Sequence, residues 1–122
     1  MPPRTRTAGA YARAKGRDAE QAVVRYLLDA GYPLACSSRS ASGGMQYGED
    51  ILGIPGVSLE VKNRTGLDLP GSLRQAAIQG GPDKIAVVII KPVGVGLESV
   101  GDWFALSYVR HQVPLWPKEG PL

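Results

Sequence analysis

Three carboxylates and one ammonium group stand in a fixed order: Glu20 within a helical pattern, Asp50 opening a strand pattern, and Glu60-Val61-Lys62 on the next strand pattern. Side chains alternate across a strand, so Glu60 and Lys62 share one face while Leu59 and Val61 turn toward a core. Such a set suits hydrolysis of a phosphodiester. That bond is anionic and slow to hydrolyse unaided, so cutting it needs charge neutralisation and an activated water. Mg²⁺ supplies both, prefers oxygen ligands and keeps several of its waters, so a few carboxylates suffice to hold it. Asp50, Glu60 and the carbonyl of Val61 are the expected protein ligands, with Mn²⁺ as a substitute ion. Lys62 is expected to orient or deprotonate the attacking water, or to stabilise the phosphorane. Glu20 completes the set, by binding a second ion or by holding a coordinated water. Glu60 and Lys62 alone also fit a surface pair on an edge strand; the co-occurrence with Glu20 and Asp50 favours the metal site.

Several elements must position these groups. Val23, Val24, Leu27 and Leu28 recur at helical spacing, which predicts a first helix from Tyr11 or Gly16 to Ala30, stopped by Gly31. Glu20 falls on its buried stripe, where an acid needs a reason. Tyr32–Ser37 reads as a short strand and 39–44 as a polar loop. Asp50–Ile54 and Val57–Lys62, joined by Pro55-Gly56, read as a hairpin that sets Asp50 and Glu60 at the same end of adjacent strands. A second helix is expected over Leu73–Gln79, with Ser72 as its cap and Gly80-Gly81 as its stop. The β-branched run Ile85–Ile90 predicts a central strand covered on both faces. A Gly-rich loop over 92–101, a last strand over Trp103–Leu106 and a short helix capped by Ser107 complete the pattern. The order α-β-β-β-α-β-β predicts a three-layer α/β fold with a mixed sheet flanked by helices, because hairpins pair antiparallel and a helical crossover joins parallel strands.

The 122 residues, 43% hydrophobic and 20% charged, suit one domain with a substantial core. Residues 16–112 are assigned to it, 1–15 to a basic flexible arm and 113–122 to a Pro-rich tail. Arg4, Arg6, Arg13, Lys15 and Arg17 all precede the first acidic residue, Asp18. This clustering suits a polyanionic partner and equally an ordinary solvated tail. No apolar run reaches the roughly 18 residues of a membrane helix, and the first residues lack the apolar segment of a signal peptide. A soluble cytoplasmic protein is expected, whether cellular or phage-encoded and acting in a host. Cys36 is the single cysteine, which excludes an internal disulfide and predicts an inert buried thiol.

Asp50 followed ten residues later by Glu60-Val61-Lys62 resembles the motif of the PD-(D/E)XK nuclease superfamily. The sequence departs from the motif at Glu49, where the family often has proline. Within the superfamily, the small size, the helix bearing Glu20, and Arg39–Gly44 followed by Glu49-Asp50-Ile51-Leu52-Gly53 are similar to archaeal-type and phage-encoded Holliday-junction resolvases. The resemblance spans residues 16–106 and implies a restriction-endonuclease-like core and a Mg²⁺-dependent crossover junction endonuclease. It further implies a site contribution from a serine in the Gly-rich loop, matched by Ser42 with Ser38 and Ser40 as close competitors. A homodimer is implied too, its two sites cutting opposed strands of a branched, four-way DNA junction. The alternatives are another nuclease of the superfamily, nicking, repair or restriction-like, and a non-catalytic DNA-binding module. Against the last stands the intact acid set, since a degenerate site has no reason to keep an expensive cluster of like charges.

Arg13, Lys15, Arg17, Arg39, Arg64 and Arg74 are the candidate DNA contacts, because cationic side chains, and arginine bidentately, pair with phosphate. Each taken singly also fits a solvated surface charge. Gln75 and Gln79 share a helix face and can reach a substrate backbone, with Gln75 preferred. His111 lacks partners for a catalytic base and reads as structural. Trp103 and Phe104 are expected in the core or at a dimer interface, and Trp116 over an apolar patch.

Overall fold

Thr7 opens the first helix, its side chain accepting a hydrogen bond from the Ala10 N–H at 3.2 Å, and α1 runs Ala8–Asp29. The computed structural model describes residues 7–41 and 48–122, so Arg4, Arg6 and Ser42 lie outside the described residues. α1 begins earlier than Tyr11 or Gly16, and Arg13 and Lys15 ride on it rather than on a flexible arm. The alanine-rich first turns have high helix propensity but no large apolar side chains to mark a periodicity. Gly31 ends the helix as expected, at φ 100°, a conformation that favours glycine.

After α1 come β1 (Cys36–Ser37), the one-turn α2 (Ser38–Ala41), β2 (Ile51–Leu52) and β3 (Val57–Lys62). The first two strands are shorter than their apolar runs predict, and part of the expected polar loop is helical. Ser37 begins that turn by accepting the Ser40 N–H on its Oγ at 3.0 Å. α3 spans Leu69–Gly80, longer than expected, and its cap is Asp68 rather than Ser72. Asp68 accepts the Gly71 N–H at 3.0 Å, and Pro70 is tolerated because the first helical turn lacks intrahelical acceptors for its N–H groups. β4 (Ile85–Ile90), β5 (Phe104–Ser107) and α4 (Val109–Gln112) follow.

The five strands form one mixed sheet in the order β1-β2-β3-β4-β5. β3 and β4 are parallel, joined by the α3 crossover, and the other pairs are antiparallel. Helices cover both faces. Ala19, Ala22 and Val23 of α1 pack with Leu59, Val61 and Trp103, while Leu73 and Ala76 of α3 pack with Ala86 and Val88. β4 is thus covered on both faces, although β3 rather than β4 is the middle strand. Among the described residues, no helix is long and apolar enough to cross a membrane.

Two further expectations, at Ser107 and Cys36, are corrected. Trp103 is in the core, and Phe104 is 63% exposed, so of the two places expected for Phe104 the core is excluded. Ser107 caps no helix; its Oγ donates to the Ala86 carbonyl at 2.8 Å, and His111 Nδ1 accepts the Ala86 N–H at 3.2 Å. Those two side chains satisfy the backbone of β4 where its pairing with β5 stops, which accounts for His111 structurally. Cys36 is half-buried rather than buried.

Gly53 is the tightest backbone position near the site. It has φ 85°, and a Cβ there would run into the backbone carbonyl of Leu34. Gly53→Ala is therefore expected to cost about 2 kcal/mol, read as a Tm loss on the order of 10 °C. Gly66→Ala, at φ 67° with open space around it, should cost about half as much.

Candidate active site

The site grows from the β2–β3 hairpin. Asp50 donates its backbone N–H to the Leu59 carbonyl at 2.9 Å, and its carboxylate Oδ2 accepts the Val61 N–H at 2.7 Å. The Asp50 carbonyl accepts the Ser38 N–H at 2.9 Å. With β2 only two residues long, these bonds stand in for a ladder and fix Asp50 across β3. Val61 donates its N–H to Asp50 and lines the same cleft as the acids, and its carbonyl points to the same side of β3 as that N–H.

On β3, Ser58 donates its Oγ to the Ala76 carbonyl of α3 at 2.7 Å, so alternation turns Ser58, Glu60 and Lys62 to the α3 face. Parallel register places Glu60 beside Val88, and Glu60 is only 2% exposed. Burial, then the Asp50 charge and hydrogen bonding to Asp50, push the Glu60 carboxyl up to about 8 from 4.5. Lys62 and Glu20 act on it more weakly, in opposite directions. Glu20 on α1 is buried as expected; burial and Asp50 raise its pKa, while Arg39 and Lys62 pull it down. Arg39 Nη2 lies 3.6 Å from Glu20 Oε1.

Glu20, Asp50, Glu60, Lys62, Gln75 and Gln79 line one cleft of about 360 Å³. All four expected side chains of the charged set are therefore together. Gln75 and Gln79 join them from α3, so the face shared by the two glutamines meets the acids as a pair rather than through Gln75 in preference. The four-residue spacing was the available signal. A second cleft is lined by Arg13, Lys15, Arg39 and Arg64 and shares Val61 and Lys62 with the first. Arg17 and Arg74 are exposed and line neither. Glu49 turns away to an ion pair with Lys84 at 2.8 Å. Ser38 and Ser40 also line neither cleft; Ser40 takes a hydrogen bond from Ser37 Oγ at 2.7 Å.

The donor set fits a hard divalent cation. Glu60 Oε1 is buried with no hydrogen-bond partner, an acceptor whose isolation is costly unless something positive meets it. Among the described residues no three of the His, Cys, Asp and Glu side chains converge as a ready-made ligand cage. Mg²⁺ does not require one, since it is commonly bound through one or two carboxylates and keeps several waters. Asp50 and Glu60 are that pair. No family model, no curated protein and no solved structure matches the chain, so the functional reading rests on these residues and their geometry.

Proposed function

We propose that this chain is a Mg²⁺-dependent DNA endonuclease of the PD-(D/E)XK type, built on a restriction-endonuclease-like core. The observation that carries the reading is the convergence of Asp50, Glu60 and Lys62 in one cleft with an unpartnered, buried Glu60 oxygen. Asp50 and Glu60 would hold the ion, with Mn²⁺ able to replace Mg²⁺. When bound, the ion neutralises phosphate charge and lowers the pKa of water. Lys62 orients the attacking water and offsets the negative charge that builds on phosphorus. Glu20, steadied by Arg39, holds a water at the rim through a carboxylate oxygen. The water gives up a proton as its oxygen bonds to phosphorus, the bond to one ester oxygen breaks, and that oxygen takes up a proton to become the hydroxyl of one strand end while the phosphate stays on the other. Gln75 and Gln79 hydrogen-bond the substrate backbone beside the scissile group.

The substrate we propose is branched DNA, a four-way junction, recognised through shape and phosphates rather than base sequence. Opposed nicks in two strands need two sites, and the described residues form one acid cleft, so the active form is proposed to be a homodimer working on DNA in the cytoplasm.

The test is cleavage of a labelled four-way junction against a linear duplex of the same sequence. Paired symmetric nicks in Mg²⁺, abolished by EDTA and restored by excess Mg²⁺ or Mn²⁺, are expected. Cutting of the duplex at a comparable rate would keep the nuclease and exclude the resolvase. Tight binding without cleavage in either metal would leave a DNA-binding module.

A further inference from the structure

The acid cleft does not end at Lys62. It continues into the groove lined by Arg13, Lys15 and Arg64, of about 380 Å³, and from there into a third, of about 400 Å³, that reaches Lys91. The second and third grooves share Tyr11, Lys15, Asn63 and Arg64, so the three form one track. α1 walls it on one side and the chain leaving β3 on the other. Asn63 Nδ2 ties the walls together by donating to the Lys15 carbonyl at 3.3 Å. Six of the described residues lining the second and third grooves are basic and none is acidic. Midway stands Tyr11, 58% exposed, with Lys15 Nζ 5.8 Å from its ring centroid.

A run of cations with an open aromatic ring among them is the arrangement that binds an unpaired strand. Phosphates follow the charges, and a base freed from its neighbours stacks on the ring. A paired base already stacked in a duplex cannot do so. Resting on the proposed nuclease activity, we infer that the track receives a single-stranded stretch of DNA contiguous with the scissile phosphate. Tyr11 stacks one base, and Arg64 and Lys91 hold the phosphates flanking it. The substrate class is then a branched DNA that presents unpaired nucleotides beside the cut, not only a fully paired junction.

Binding is measured by fluorescence anisotropy in EDTA, where no cleavage occurs, with the full chain and labelled oligothymidylate of about 12 nucleotides. Tyr11→Ala is expected to weaken binding on the order of 5- to 100-fold, the range for one lost base stack, while Tyr11→Phe retains it. Arg64→Ala with Lys91→Ala should flatten the log–log salt dependence by about 1.4, since each single-strand phosphate contact contributes roughly 0.7. Blunt duplex should respond weakly to Tyr11→Ala. Indifference of oligothymidylate binding to Tyr11→Ala, or equal losses on duplex and single strand, overturns the inference. Junction cutting by a protein whose oligothymidylate binding ignores Tyr11 would keep the nuclease and reject the track. Tyr11-dependent binding by a protein that cuts nothing would do the reverse.

Discussion

Lys62→Ala is expected to lower Mg²⁺-dependent junction cleavage by about 10²–10⁴-fold, the range for losing a positioned proton-handling or charge-stabilising group. The side chain stands in the acid cleft, on the same face of β3 as Glu60. Its backbone is anchored, because the Lys62 carbonyl accepts the Lys91 N–H at 3.0 Å. The substitution therefore removes the ammonium group without loosening the strand, and Tm should stay within about 2 °C of the wild type. Lys62 also draws both Glu20 and Glu60 toward their ionised forms. Its loss should thus raise the Mg²⁺ concentration needed for half-maximal activity as well as lower the maximal rate. Single-turnover cleavage across a Mg²⁺ titration separates the two effects. A rate unchanged in Lys62→Ala at saturating Mg²⁺ would remove Lys62 from the reaction.

Glu60→Gln is expected to abolish cleavage while making the metal-free protein more stable above neutral pH. Folded Glu60 holds its proton up to about pH 8, whereas the unfolded chain releases it near 4.5. Between those values the native state binds more protons than the unfolded state, so its stability falls as pH rises, and levels off above the upper value. Glu20 is shifted in the same direction and adds to the slope. The metal-free wild type should therefore melt lower at pH 8 than at pH 5, with a difference on the order of 5–10 °C. Glu60→Gln replaces the buried acid by a neutral group of the same shape, so most of that slope should vanish and Tm at pH 8 should rise. Saturating Mg²⁺ should stabilise the wild type, because a ligand that binds only the native state adds to its stability. The variant should gain little. Melting followed by circular dichroism in EDTA and in Mg²⁺, across this pH range, reads all three effects. A wild-type Tm independent of pH and of Mg²⁺ would mean that Glu60 neither holds a proton when folded nor joins Asp50 on a metal ion.

Both expectations arise from residues that local patterns bring out and that only folding brings together. Alternation along Val57–Lys62 was enough to put Glu60 and Lys62 on one face. The helical stripe of Val23, Val24 and Leu27 was enough to bury Glu20, and the Pro55-Gly56 turn to bring Asp50 beside β3. Boundaries were less legible where local and tertiary demands conflict. The first helix begins at Ala8 because a Thr7 cap and small residues favour helix without an apolar stripe. The cap of α3 moved to Asp68 because a proline two residues on fits the first helical turn. Ser107 looked like a cap but serves Ala86, a partner twenty-one residues away that no local pattern points to.

The α/β class, the mixed order of strands and the identity of the charged set were legible from local patterns. Those follow from hydrophobic period, turn residues and charge spacing, which act over a few residues. Packing between distant segments was needed to withdraw Glu49 to Lys84 and to make Arg13, Lys15 and Arg64 line a track continuing from Lys62 past Tyr11. It also decided the protonation of Glu60, since desolvation depends on Val88 and Asp50 arriving from separate strands. Proximity between distant segments is set by how helices and sheet pack, and the free energy of a buried charge depends on that packing rather than on its neighbours in the chain.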